Sequence, residues 1–177
     1  IIDRAKKDGV KAEEIYKSDY GMDWYILGEC RTAVEIIEQS LDQYDVPKAC
    51  ETSQGFFELL NNVYIRANRD RFWKKSGEVP RLAQALIDRG YTIDTLPEGL
   101  REIYTPDYQR GDKIAAYNTL YTVLVTMCKA LAPLLPLTTE QIYLGLKGKD
   151  CDSVHLQFFP DVSNFERNEE GISEIRR

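Results

Sequence analysis

Asn62, Arg66, Arg69 and Trp73 are separated by four, three and four residues, a spacing that puts all four on one face of a helix. Between Phe56 and Lys75, five basic residues (Arg66, Arg69, Arg71, Lys74 and Lys75) stand against two acidic ones (Glu58 and Asp70). The stretch therefore carries +3 in a chain whose formal net charge is −6. Guanidinium groups neutralise phosphates and bond them bidentately, while an indole can stack on an unpaired base, so this combination suits RNA. The candidate RNA-contacting residues are Asn62, Arg66, Arg69, Arg71, Trp73, Lys74 and Lys75. A plainer reading competes with it: a solvated charged face, with Trp73 closing the end of a bundle.

No other set of residues suggests chemistry. His155 is the single histidine and has no nucleophile or ligand near it in sequence. Cys30, Cys50, Cys128 and Cys151 form no CxxC pair, so neither a catalytic residue nor a metal site is expected. Cys30, Cys50 and Cys128 fall in apolar helical patterns and read as buried thiols of a reducing compartment. Gly145 and Gly148 lack the spacing of a phosphate-binding loop.

The elements that must position the basic face are helices. Leu27, Cys30, Val34, Ile37, Leu41 and Tyr44 recur every three or four residues, predicting a helix from Asp23 to Tyr44. Asp45-Val46-Pro47 reads as a tight joint, with Asp45 as a cap and Pro47 in the next first turn. A second helix should run from Pro47 to Lys75, its core stripe being Ala49, Ser53, Phe56, Leu60, Val63 and Ala67. At about 100° per residue, the basic face lies a quarter to a third of a turn from that stripe. So short a joint makes the two helices antiparallel. A third helix is expected from Asp112, carrying Tyr117, Leu120, Leu124, Cys128 and Leu131 and ending at Pro133 and Pro136. A fourth opens with the capping box Thr138 to Gln141. Ser153 to Leu156 reads as one short strand-like run. The fold class expected is all-α, an antiparallel helix bundle.

At 177 residues the chain can bury a sizeable core, and 43% hydrophobic with 29% charged residues is ordinary for a soluble globular protein. The uncharged run from Ala130 to Leu137 is far short of a membrane span. The chain opens on Ile1-Ile2-Asp3-Arg4 and reads as part of a longer polypeptide. Residues 1–21 are expected to be a linker, 22–160 the helical domain, 76–111 an inserted irregular and helical segment, and 161–177 a loosely held polar tail.

Asn62 to Trp73 resembles the segment N-W-Y-I-R-R-S-R-R-R-F-W of isoleucyl-tRNA synthetases, which lies in their helical anticodon-binding domain. Other stretches agree in the same order. Met22 to Leu27 resembles that family's first-helix entry, and Tyr44-Asp45-Val46-Pro47-Lys48-Ala49 its helix joint. Asp112 to Tyr121 is similar to D-K-L-A-A-Y-x-T-L-Y. Leu131 to Pro136 with Glu140 to Tyr143 resembles L-A-P-F-x-P with E-E-I-Y, and Ser153 to Leu156 resembles S-V-H-L. The chain departs from the pattern at Val63, where the family has Trp, and at Ala67 and Asp70, where it has Arg; Phe159 stands where Trp is usual.

The resemblance implies a class Ia synthetase anticodon-binding bundle, lodged within an enzyme that joins isoleucine to its tRNA with ATP and Mg. The H-I-G-H and K-M-S-K-S motifs of ATP binding are absent from this stretch. The implied catalytic and editing domains would precede Ile1, so the fragment itself would hold no cofactor and catalyse nothing. The implied partner is an isoleucine-accepting tRNA, in the cytoplasm, with no membrane and as a monomer. The equivalent domain of a valyl-, leucyl- or methionyl-tRNA synthetase is a near alternative. A helical protein-interaction scaffold, docking a partner on Tyr91, Ile93, Leu96 and Tyr104, is a more distant one.

Overall fold

The computed structural model describes residues 5, 7, 9–20, 22–73, 106–148 and 150–167. The described residues form helices without a strand, in the order α1 (Asp23–Asp42), α2 (Val46–Leu59), a π-helical segment (Leu60–Ile65), α3 (Arg69–Trp73), α4 (Pro106–Leu131), α5 (Pro136–Lys147) and a 3-10 turn (Val154–Leu156). The expected all-α antiparallel bundle is what they build.

Ile26, Leu27, Cys30, Val34 and Ile37 of α1 are buried, as their three- and four-residue steps require. The helix stops at Asp42, short of Tyr44. The Asp45 N–H donates to the Ser40 carbonyl (2.8 Å) and the Tyr44 N–H to Leu41 (3.0 Å), the paired bonds that close a helix around a left-handed residue. That residue is Tyr44, at φ +58° and almost wholly exposed rather than on the core stripe. Asp45 then accepts from the Lys48 N–H (3.1 Å) and caps α2, with Pro47 in its first turn. The reversal lays α2 antiparallel on α1.

α4 packs on α1 along one side and on α5 along the other. Tyr117, Leu120, Val123 and Met127 join the main core with α1 and the second helix, while Val125, Cys128 and Ala132 meet Tyr143 and Val154 in a second cluster. Being covered on two faces explains its apolar character. By length and composition Tyr108–Leu131 could cross a membrane, yet most of that stretch is buried inside the bundle. The helix begins at Pro106 rather than Asp112, so the segment expected as an insertion gives up its last residues to α4; residues 76–105 lie outside those described. A proline is tolerated there because first-turn N–H groups have no helical acceptor.

α5 also starts earlier than expected, at Pro136. Thr138 caps nothing; the Thr139 hydroxyl donates to the Leu135 carbonyl (2.9 Å) instead. The strand-like run at 153–156 is a single 3-10 turn. Glu140 of α5 accepts from the Ser153 hydroxyl (3.0 Å) and the Val154 N–H (2.9 Å), which tethers the turn to the helix. The apolar Val154 and Leu156 on either side of His155 imitated a strand's alternation, but Val154 is buried and Leu156 exposed, whereas a strand would put both on one face.

Both flanking segments dock on the bundle. Ile15 and Glu13 N–H groups donate to Thr122 (2.8 Å) and Asn118 (3.0 Å) of α4, and Lys147 pairs with Glu14. The expected loose tail is packed over 161–167: Val162 and Phe165 are buried. Arg31 donates to the carbonyls of Ser163 and Phe165, and Arg167 reaches Glu35 (3.2 Å).

Candidate nucleic-acid interface

The basic face is shaped by the π-helical segment. Ala49, Ser53, Phe56 and Leu60 face the core in ordinary α-helical steps. The six residues Leu60–Ile65 then wind with a wider repeat, so the next inward residue is Tyr64, followed by Asn68 and Phe72. Val63 and Ala67, expected inside, are exposed. The helix holds one residue more than an α-helix of the same span, and the downstream stripe slips by one position.

That slip leaves Asn61, Asn62, Val63, Arg66, Ala67, Arg69 and Trp73 all exposed. Four of the seven predicted contact residues are therefore gathered on the open side: Asn62, Arg66, Arg69 and Trp73. Arg69 lies over the Trp73 ring at 6.0 Å from its centroid, within cation–π range. Trp73 is 47% exposed, which leaves much of the indole accessible. Among the described residues, no carboxylate pairs with Arg66 or Arg69. The Asn61 amide donates to the Asn62 side-chain oxygen (3.3 Å).

Arg71 belongs elsewhere. Its guanidinium turns inward, donating to both carboxylate oxygens of the fully buried Asp23 at 2.7 and 2.9 Å. It also meets the Asp112 carboxylate at 2.7 Å, the Asp112 carbonyl at 3.0 Å and the Asn68 side chain at 3.0 Å. The reading of Arg71 as an RNA contact is thus corrected: two carboxylates neutralise it, and it is a structural tie between three helices. Asp112, expected as a helix cap, is the partner in that tie.

Tyr64, which sequence reasoning did not single out, completes the network by donating to Asp23 (2.6 Å), while Ser18 donates to its other oxygen (3.0 Å). Burial, then the adjacent Asp23 carboxylate, push the Tyr64 phenol pKa well up, so it stays a donor. Burial opposes the Arg71 charge, but Asp23 and Asp112 outweigh it and raise its pKa. Burial likewise raises Asp112, against the pull of Arg71. A sequence signal existed: Tyr64, Asn68 and Arg71 step by four and three, marking a second, polar stripe. Phe72 fills the space beneath, with ring centroids 5.5 Å from Tyr117 and 6.4 Å from Tyr64, and the Tyr117 hydroxyl donates to the Phe72 carbonyl (3.1 Å).

Lys74, Lys75 and the scaffold surface at Tyr91, Ile93, Leu96 and Tyr104 lie outside the described residues. Cys30 and Cys128 are buried, and burial pushes the Cys128 thiol to about 11. Cys50, expected inside, is exposed.

The family described as the anticodon-binding domain of tRNA ligase matches residues 23–96 and 91–177. Among curated relatives, the isoleucine–tRNA ligase of Wolbachia pipientis wMel is 38% identical over 162 residues, covering 92% of this chain and 12% of the relative. That of Rickettsia bellii (strain OSU 85-389) is 36% identical over 186 residues, covering 94% and 14%. That of Ehrlichia canis (strain Jake) is 36% identical over 164 residues, covering 88% and 12%. The chain thus spans roughly an eighth of the length of such relatives.

Proposed function

The chain belongs to the anticodon-binding domain family of tRNA ligases, and from that premise we propose that it is the part of an isoleucine–tRNA ligase that holds the anticodon stem-loop of an isoleucine-accepting tRNA. The observation carrying this reading is the open face of Asn62, Arg66, Arg69 and Trp73, beside a core that Arg71, Asp23 and Tyr64 lock in place. Arg66 and Arg69 contact phosphates, supplying most of the affinity without base specificity. The Trp73 indole stacks on a base exposed in the loop. Activation of isoleucine with ATP and Mg is the work of the rest of the parent enzyme. We further read that enzyme as a cytoplasmic monomer acting without a membrane.

The test is Arg66→Glu with Arg69→Glu in the full-length ligase, followed by tRNA affinity against salt concentration. Affinity should fall while the melting temperature holds. The log–log salt slope should shrink by about 0.7 to 1 for each phosphate that the variant no longer neutralises. Unchanged binding at moderate salt would remove the basic face from the mechanism.

A further inference from the structure

We infer that the π-helical segment Leu60–Ile65 is a specificity device, turning the Asn61–Asn62 amide pair outward to read the edge of an unpaired base in the bound loop. This rests on the tRNA-binding reading above and goes beyond it, from phosphate contact to base choice.

A π-helical turn is poorer in hydrogen-bond geometry than an α-helical one and persists where something depends on it, commonly at functional sites. Here the docking of Tyr64 on Asp23 selects the π-helical register for this sequence, but the buried stripe itself does not need the extra residue. Removal of one residue between Leu60 and Tyr64 would restore ordinary α-helical steps from Leu60 to the Tyr64 position and on to the Asn68 position. The buried stripe would survive that deletion, whereas the exposed amides would change their bearing relative to Arg66 and Arg69. What the extra residue contributes is therefore found on the outside, as three consecutive exposed residues, Asn61, Asn62 and Val63.

The chemistry at that point is an amide pair. The Asn61 amide donates to the Asn62 oxygen at 3.3 Å, which orients Asn62. Both N–H groups of Asn62 and the second lone pair of its oxygen remain for a ligand. A donor beside an acceptor matches a base edge that offers an amino group next to a ring nitrogen, as adenine and cytosine do. Arg66, four residues on from Asn62 along the same exposed side, can hold the phosphate of the same strand.

The experiment uses the full-length ligase and two sets of transcripts: its own tRNA, and the same tRNA with each adenine or cytosine of the anticodon loop replaced in turn. Asn61→Ala with Asn62→Ala should reduce the preference for the unaltered transcript at one position by about tenfold. The salt slope should not change, and the replaced position names the base. Deletion of Asn61 should keep helicity and melting temperature while losing the same preference; if that variant does not fold, the double alanine variant decides alone. Arg66→Met with Arg69→Met serves as the control. If that control weakens binding and flattens the salt slope while the asparagine variants retain full preference, this inference is overturned and the tRNA-binding reading stands. If neither set changes binding, both fall.

Discussion

Arg71→Met and Arg69→Met remove the same guanidinium from positions two residues apart, with opposite expected consequences. Arg71 gives up charge-assisted bonds to Asp23 at 2.7 and 2.9 Å and its ion pair with Asp112 at 2.7 Å. Asp23 is fully buried and would keep only the Tyr64 and Ser18 hydroxyls. Orphaning one member of a buried pair costs about 3–5 kcal/mol. With a urea m-value of about 2 kcal/mol/M, the midpoint at pH 7 should drop by about 1.5–2.5 M. Arg69→Met, on the exposed side, should stay within about 0.5 kcal/mol of the parent chain. Urea unfolding followed by circular dichroism measures both shifts. Equal midpoints for the two variants would refute the structural role of the Asp23–Arg71 tie.

Two further outcomes are expected. Tyr44 occupies the left-handed region at φ +58°, which costs a non-glycine residue on the order of 1 kcal/mol, so Tyr44→Asn should raise the melting temperature slightly; a decrease would mean that the exposed ring contributes packing. Two carboxyls at the C-terminal segment are held below their ordinary pKa values. At Glu35 burial pushes upward but Arg31 and Arg167 outweigh it, and at Asp161 the backbone N–H of Ser163 does the work. Their stabilisation is in place above the unfolded-state pKa and is lost as pH falls through the lower folded value. Amide exchange over residues 161–167 should therefore quicken below about pH 4 relative to the helices, and Glu35→Gln should weaken that pH dependence.

The first helix, the joint at Asp45 and Pro47, and the antiparallel pairing were readable because they depend on local periodicity and capping. The π-helical segment was not, because Val63 and Tyr64 are both acceptable core residues and only the docking of Tyr64 on Asp23 chooses between them. The same long-range choice moved Arg71 from the surface to the interior, since charge alone does not tell an arginine with a carboxylate partner 48 residues away from one facing solvent. The basic face itself was legible through the spacing of Asn62, Arg66, Arg69 and Trp73. The turn at Val154–Leu156 misled because two-residue alternation over so few residues does not separate a strand from a capped 3-10 turn.

The Arg71 tie has a consequence for how the protein is made. Its partner Asp112 is encoded 41 residues downstream, so the end of the basic helix has no complete anchor until that much more chain has left the ribosome. During synthesis, the nascent basic stretch would acquire its finished shape only late, when the arriving α4 supplies the second carboxylate.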